Sequence, residues 1–298
     1  MSRIAFIGLG KMGIPMVKNL LSSGHSINAF DLSAEAREKA LGLGCNVTSD
    51  AKEAAFDCEY LITMLPAGEQ IKEVYLGAKG VISAVQKGVQ LIDCSTVDIE
   101  SSQKVHEAAL NHGLEMVDAP VSGGVVGAEK GALTFMVGGT DKGFSRVKPI
   151  LLIMGNTVVH AGNAGMGQAA KICNNMLLGI SMIAVSEAFV LADGLGLDRQ
   201  KLFDISSNAT GSCWSLNNYC PVPGPVPESP ANSEYAPGFT ASMMLKDLDL
   251  AKQASQVSGV KTKLGEEAET LYKSFCESGN DNKDFSGIFS MISNLKKQ

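Results

Sequence analysis

The run Gly165-Met166-Gly167-Gln168-Ala169-Ala170-Lys171-Ile172-Cys173-Asn174-Asn175 sets one lysine and two adjacent amides at the mouth of a long apolar stretch. Residues four apart share a helix face, so Lys171 and Asn175 point the same way, with Asn174 beside them. A lysine entering an apolar helix is commonly an end residue whose stem packs while its charge stays in water. The alternative is a lysine kept in a cleft and tuned for proton transfer. Local spacing leaves both readings open. A second pair, Lys246-Asp247 within Met243 to Leu248, lies on another apolar helix, where such a pair is usually solvated.

Two glycine-rich turns carry a different chemistry. Ile4 to Ile7 reads as a buried strand, Gly8-Leu9-Gly10-Lys11-Met12-Gly13 follows it, and Ile14 to Ser23 reads as a helix stopped by Gly24. A second strand, Ser26 to Phe30, ends at Asp31, eighteen residues after Gly13. A glycine triplet alone says little. Set between strand and helix, with an acid closing the next strand, it is the dinucleotide fingerprint. Gly8 permits the tight turn, Gly10 lets a pyrophosphate approach the backbone, and Gly13 lets helix and sheet pack closely. The helix start offers N–H groups and a positive dipole end to the phosphates. Asp31 would accept hydrogen bonds from the adenosine ribose hydroxyls and repel a 2′-phosphate, which predicts NAD over NADP, although Arg37 lies close enough to argue the other way. The second turn, Ser122-Gly123-Gly124, exposes backbone N–H groups that could cradle a small anion.

The elements that must position these residues alternate through the first half. Asp50-Ala51-Lys52-Glu53 fits a capped helix start. Tyr60 to Leu65 is a strand stopped by Pro66, and Leu91 to Asp93 is another, followed by Cys94-Ser95-Thr96 and a helical run from Ile99 to Asn111. Leu133 to Val137 and Thr157 to Ala161 supply further strands. Ligands of a doubly wound sheet bind beyond the carboxyl ends of its strands, so Leu65-Pro66 and Ser95-Thr96 are expected near the cofactor; Ser-Thr in such a turn can equally be a helix cap.

After Gly162 the strand patterns nearly vanish. From Gln168 to about Ala192 the chain is apolar on nearly every side, as in a helix buried in a large core or crossing a membrane. Its uncharged part, Ile172 to Ser186, is 15 residues long, short of the ~18 or more of a membrane span, so a buried soluble helix is predicted. Arg199 to Ser207, Thr240 to Val257 and Lys263 to Glu277 read as further helices. Pro221 to Pro237 holds six of the ten prolines and reads as an ordered or semi-ordered loop. The predicted fold is therefore α/β. Residues 1–162 form a Rossmann NAD-binding domain with a doubly wound, mostly parallel sheet. Residues 163–298 form an all-helical domain for substrate and oligomerisation, built on the long buried helix.

Composition narrows the function. The 298 residues exceed one typical domain of ~100–200. A net charge of −6 and a pI of about 5.3, with no Lys/Arg cluster, argue against a nucleic-acid partner. Seven cysteines without a C-x-x-C pair suit reduced thiols in an intracellular protein, and four scattered histidines predict no metal site. The chain opens directly into a strand at Arg3, so no presequence is expected.

Four segments together, Ile7 to Gly13, Asp118-Ala119-Pro120-Val121-Ser122-Gly123-Gly124, Gly165 to Asn175 and Lys246-Asp247, resemble the β-hydroxyacid dehydrogenase family, and the likeness covers essentially the whole chain. The likeness takes in Thr134 to Gly139, and Pro221 to Pro225 with Asp284-Phe285-Ser286 bring the chain near the members that oxidise 3-hydroxyisobutyrate. The resemblance implies an active site between the two domains, with Lys171 catalytic and Asn175 assisting. It implies that Ser122, Gly123 and Gly124 bind the substrate carboxylate and that Lys246 and Asp247 lie on the substrate side. It further implies cofactor contacts from Leu65, Pro66, Thr96 and Lys246, beside Gly8, Leu9, Gly10, Lys11, Met12, Gly13 and Asp31. Relatives often carry Asn four residues after the Pro of the Leu-Pro turn; Gln70 stands there, an amide of different reach. The implied reaction is reversible oxidation of (S)-3-hydroxyisobutyrate to methylmalonate semialdehyde with NAD, in valine breakdown and without zinc. Lys171 would take the alcohol proton and return it in reverse, which requires lowering a lysine from ~10.4 toward ~7–8. A homodimer or homotetramer is expected, in a bacterial cytoplasm or, for a processed eukaryotic chain, the mitochondrial matrix, with no membrane partner.

Three rival readings remain. Tyr75-Leu76-Gly77-Ala78-Lys79 has the Tyr-x-x-x-Lys spacing of short-chain dehydrogenases, but early in the chain and where glycines end a helix. A dinucleotide sensor without catalysis would explain the fingerprint but not Lys171, Asn175 and Ser122 together. A relative acting on another β-hydroxyacid, such as tartronate semialdehyde (glycerate) reductase, or an NADP-linked reductase, differs by little, because one methyl group changes affinity by only ~1–3 kcal/mol.

Overall fold

Short runs of buried apolar residues pair into one sheet in a computed structural model that describes residues 1–295. Its strands are β1 (Arg3–Ile7), β2 (Ser26–Phe30), β3 (Asn46–Val47), β4 (Tyr60–Thr63), β5 (Gln90–Asp93), β6 (Glu115–Asp118), β7 (Val121–Ser122), β8 (Leu133–Gly138) and β9 (Gly155–Gly162). The order is β3-β2-β1-β4-β5-β6-β8-β7, with β9 on β8. The first six strands are parallel and run 3-2-1-4-5-6, the doubly wound order that reverses at β1 and β4. Strand β8 enters antiparallel to β6 and β7.

Successive side chains of a strand face opposite ways, and β1 feeds two cores. Ile4 and Phe6 pack with Leu20, Ile92 and Phe135, whereas Ala5 and Ile7 pack with Leu61, Ile71, Leu91 and Val105. Both faces are covered by helices: α1 (Gly13–Ser22), α2 (Ala34–Gly42), α3 (Ala51–Ala55), α4 (Gly68–Leu76), α5 (Ile99–Asn111), α6 (Gly124–Glu129) and α7 (Asp141–Met154). Local chemistry starts several of them. Ser33, Asp50, Asp98 and Thr140 accept the N–H groups of Ala36, Glu53, Ser101 and Gly143 at the starts of α2, α3, α5 and α7.

The chain divides into two compact units, Met1–Lys171 and Ile172–Gln298, and the division falls inside the long helix α8 (Met166–Leu195). The second unit adds α9 (Arg199–Ser206), α10 (Trp214–Asn217), α11 (Ala241–Ser258), α12 (Lys263–Phe275) and α13 (Ile288–Leu295). Met182, Ile183, Met244, Leu248, Tyr272 and Phe285 form its main core. Gly179 brings α8 against α11, since a Cβ there would sit 3.1–3.2 Å from Leu248 and Met244. The proline-rich loop is ordered. Asp284, fully buried, accepts Tyr219 Oη at 2.9 Å, the N–H groups of Gly238 and Phe239 at 3.0 Å, and Ser286 Oγ at 2.7 Å. Tyr235 Oη donates to Pro221 O at 3.0 Å.

Two expectations need correction. Helix α8 is not buried all round: Leu177 is 64%, Leu191 64% and Leu195 76% exposed, on a stripe that also shows Ala184 and Ala188. By length and composition alone α8 could cross a bilayer, but it carries Lys171, Glu187 and Asp193 and buries Met182, Ile183 and Phe189 among helices. Helix α7 was not anticipated, and the strand expected to reach Leu65 ends at Thr63.

Candidate active site

The glycine turn after β1 is shaped by contacts that only glycine allows. Gly8 has φ +100°, and a Cβ there would lie 2.2 Å from Met64 O at the end of β4. A Cβ on Gly13 would lie 2.0 Å from Gly8 O, so α1 starts pressed against the turn. Gly10 is different: nothing lies within 4 Å of a Cβ built there, which leaves its backbone open to a ligand. No side chain caps α1 at Met12, and Lys11 is exposed. A helix start of this kind, with a small backbone and no cap, fits a pyrophosphate.

Asp31 closes the other side. Its Oδ2 accepts Leu9 N–H at 2.6 Å and its Oδ1 accepts Ser33 N–H at 2.8 Å. Each carboxylate oxygen has a further lone pair for a ribose hydroxyl. Arg37 donates through Nη1 to Asp31 O and Leu32 O, so its guanidinium is engaged by main chain. The residues of this turn thus fit a nicotinamide dinucleotide.

At the carboxyl ends of β4 and β5, Leu65 N–H donates to Ser95 Oγ at 2.8 Å. Gln168, on the first turn of α8, donates through Nε2 to Ser95 O at 2.8 Å and accepts Val97 N–H at 3.0 Å. The Leu65-Pro66 and Ser95-Thr96 turns are therefore joined to each other and to the helix that carries Lys171. Pro66 and Gln70 are exposed, Leu65 and Thr96 partly so. Tyr75 is 1% exposed, its hydroxyl lies 3.1 Å from Thr63 Oγ1, and burial holds its phenol well above the usual range. It is a core residue, which removes the Tyr-x-x-x-Lys reading.

The start of α8 is fixed from beneath. Asp118, at the end of β6 and fully buried, accepts Gly165 N–H at 2.8 Å through Oδ1 and Gln168 N–H at 2.9 Å through Oδ2. His106 Nε2 lies 3.1 Å from the same Oδ1. Cβ atoms on Gly138 and Gly167 would each fall within 2.7 Å of Asp118 or neighbouring backbone, so the helix seats directly on the sheet. Lys171 follows one turn later and is 8% exposed, which rules out a solvated end residue.

Asn175, 2% exposed, donates through Nδ2 to Asp247 Oδ2, while its Oδ1 accepts Asn174 Nδ2 at 3.0 Å. A carboxylate only accepts, so the Asn175 amide is held in one orientation, with its second N–H as the remaining donor. Asp247 is 3% exposed and its Oδ1 lies 3.4 Å from Lys246 Nζ. The Lys-Asp pair is therefore half buried rather than surface decoration. Ser122 closes β7, and Gly123 (φ +130°) and Gly124 (φ +62°) adopt conformations that other residues rarely take, leaving an exposed turn of main chain.

Sequence reasoning passed over Asp93, Gln168 and the capping role of Asp118. The available signal was polarity out of place: an acid ending each of two apolar strands and a glutamine opening an apolar helix.

Residues 3–162 match a family described as the NAD binding domain of 6-phosphogluconate dehydrogenase. Residues 165–292 match the NAD-binding family of NADP-dependent 3-hydroxyisobutyrate dehydrogenase. A probable 3-hydroxyisobutyrate dehydrogenase of Mycobacterium bovis is 45% identical over 288 residues, 97% of each chain. An NAD-dependent L-serine dehydrogenase of Pseudomonas aeruginosa is 41% identical over 288 residues, again 97% of each. Among solved structures, a Mycobacterium tuberculosis 3-hydroxyisobutyrate dehydrogenase with L-serine superposes with a TM-score of 0.93 at 44% identity, covering 98% of this chain and 99% of the other.

Proposed function

The chain belongs to the 3-hydroxyisobutyrate dehydrogenase family of nicotinamide-dinucleotide-dependent dehydrogenases, and from that premise we propose that it oxidises (S)-3-hydroxyisobutyrate reversibly to methylmalonate semialdehyde, with NAD preferred, as a step of valine breakdown. The observation that carries the reading is Lys171, a lysine 8% exposed that shares a helix face with an amide oriented by a buried carboxylate. Lys171 takes the proton of the primary alcohol as base and returns it as acid in the reverse direction. A dinucleotide held by the Gly8 to Gly13 turn and Asp31 would supply the hydride acceptor for the alcohol carbon. Asn175 offers its second N–H to the substrate oxygen or to the lysine. The Ser122-Gly123-Gly124 turn supplies N–H groups to the substrate carboxylate, and Lys246 reaches the cofactor side. NAD preference is supported by Asp31, whose charge repels a 2′-phosphate, and by Arg37, whose guanidinium is tied to Asp31 O and Leu32 O. The apolar stripe of α8 supports a homodimer or homotetramer.

L-Serine is the second reading, favoured by the 41% identical relative named for that activity. It shares the β-hydroxyl and the carboxylate and replaces a methyl by an amine. The test is kcat/KM for (S)-3-hydroxyisobutyrate, L-serine and glycerate, each with NAD and NADP. Preference for hydroxyisobutyrate with NAD is expected. Preference for L-serine or glycerate would keep Lys171 and overturn the substrate; turnover only with NADP would overturn the role of Asp31.

A further inference from the structure

A buried polar chain ties the carboxyl ends of β4 and β5, and the proposed chemistry uses none of it. Asp93, the last residue of β5, is fully buried. Its Oδ1 accepts Thr63 Oγ1 at 2.7 Å, Ser95 Oγ at 2.6 Å and Ser95 N–H at 3.2 Å. Thr63 has one hydroxyl proton and gives it to Asp93, so Tyr75 must donate in the 3.1 Å bond between the two hydroxyls. Ser95 likewise gives its proton to Asp93, and its oxygen is then free to accept Leu65 N–H at 2.8 Å. Ser95 O accepts Gln168 Nε2. One carboxylate oxygen thus sets two hydroxyl rotors: that of Ser95, which joins the Leu65-Pro66 and Ser95-Thr96 turns, and that of Thr63, which receives Tyr75 of α4.

Among the described residues, the second oxygen of Asp93 is buried without a hydrogen-bond partner. An asparagine would make the same three bonds through its own oxygen, so holding the fold does not call for an acid here. What the acid adds is charge, which strengthens all three bonds together. A buried, half-satisfied carboxylate is costly to keep, and its place under the turns that follow β4 and β5 points to use rather than to packing.

We propose that Asp93 is a positioning residue for the dinucleotide: ionised, it locks the two turns in the arrangement that receives the cofactor, and protonated, it loosens them. The inference rests on the reading that these turns line the cofactor site. Burial pushes the Asp93 carboxyl up to about 6, against the bonds from Ser95 and Thr63 and with help from the Asp118 charge. The titratable groups around it are Tyr75 of α4, Cys94 just past β5 and Asp118 of β6, with His106 of α5 beyond Asp118. Burial holds Tyr75 and Cys94 well above their usual ranges, hence neutral through this window.

The test is NADH affinity, read by cofactor fluorescence from pH 5 to pH 8, for the wild type, Asp93→Asn and Ser95→Ala. Wild-type affinity is expected to rise about tenfold with pH as charge-assisted bonds replace neutral ones. Asp93→Asn should bind about tenfold more weakly at pH 8 and show a flat profile, which also separates Asp93 from His106. Its KM for NAD should rise in parallel while kcat at saturating NAD falls less than about threefold. Ser95→Ala, which breaks the chain and leaves the carboxyl in place, should weaken binding and flatten the profile, and it carries the test if Asp93→Asn does not fold. Wild-type affinity and pH dependence in either folded variant would overturn the proposal. A wild type that binds no NADH at any pH would overturn the cofactor reading beneath it.

Discussion

Lys171 and Asn175 stand one helical turn apart, and their neighbours give them different duties. Asn175 is fixed from both sides, by Asn174 and by Asp247, so it can direct a partner but not move a proton. Of the two, only a lysine side chain can give up and take back a proton, which is the role proposed for Lys171. Lys171→Ala is expected to lower kcat by ~10²–10⁴ while NADH binding stays within a few-fold, measured by single-turnover kinetics and fluorescence titration; retained turnover would sink the assignment. Asp247→Ala frees the Asn175 amide to rotate. A fall in kcat of about tenfold or more, with KM for NAD unchanged, is expected from that misplacement; an equal rise in the KM for NAD would instead place Asp247 on the cofactor side. That the lysine and the amide share one helix face was legible, because their spacing of four falls on a single helix. Gln168 was not, because its partners, Ser95 and Val97, lie 73 and 71 residues away in sequence, and no local pattern encodes a contact of that range.

Among elements, the joint between β6 and the first turn of α8 fixes the start of that helix. Asp118 satisfies two N–H groups of the helix start with two different oxygens. Asp118→Asn puts an amide N–H against one of those donors, and a loss of about 2–3 kcal/mol in unfolding free energy is expected, read from denaturant midpoints. An unchanged midpoint would mean that water replaces the lost acceptor. Asp93 works in the opposite sense. Its folded carboxyl lies at about 6, above the ~3.9 of an unfolded chain, so the native state holds the proton more tightly and stability falls as pH rises from about 4 to about 6. The cost above that window is roughly 2–3 kcal/mol, and Asp93→Asn should escape it. The variant should therefore gain on the wild type between pH 4.5 and pH 7; a difference independent of pH would show that Asp93 carries no such cost. The order of strands and helices was largely legible, because caps such as Asp50 and breakers such as Gly24 mark their limits. Helix α7 was not, since Gly143 and Pro149 interrupt the pattern that announces a helix. Leu65 was read as strand because its apolar run continues past the last residue that pairs.

At the scale of the whole molecule, the long helix is where sequence and structure part. An apolar surface all round predicts burial all round, yet the folded chain covers only part of α8 and leaves Leu177, Leu191 and Leu195 between 64% and 76% exposed. Their spacing, with Ala184 and Ala188 between, keeps them on one side of the helix. Single exposed leucines are ordinary, but a continuous apolar stripe on one helix is the kind of surface used for interaction, in keeping with the proposed oligomer. Under the proposed oligomer the cover is a second chain, and a pattern within one chain does not encode a face that only a partner buries. A second copy satisfies the stripe by symmetry, since a two-fold axis sets the same patch against itself. Each leucine buried in that way contributes up to about 1.5–3 kcal/mol, and a charge placed among them is strongly unfavourable only if the face is closed. Light scattering should therefore find the wild type as a dimer or tetramer and Leu191→Glu as a smaller species, with the Leu177→Glu, Leu191→Glu double variant smaller still. If both variants keep the wild-type mass, the stripe faces water, and subunits pair, if at all, through another surface.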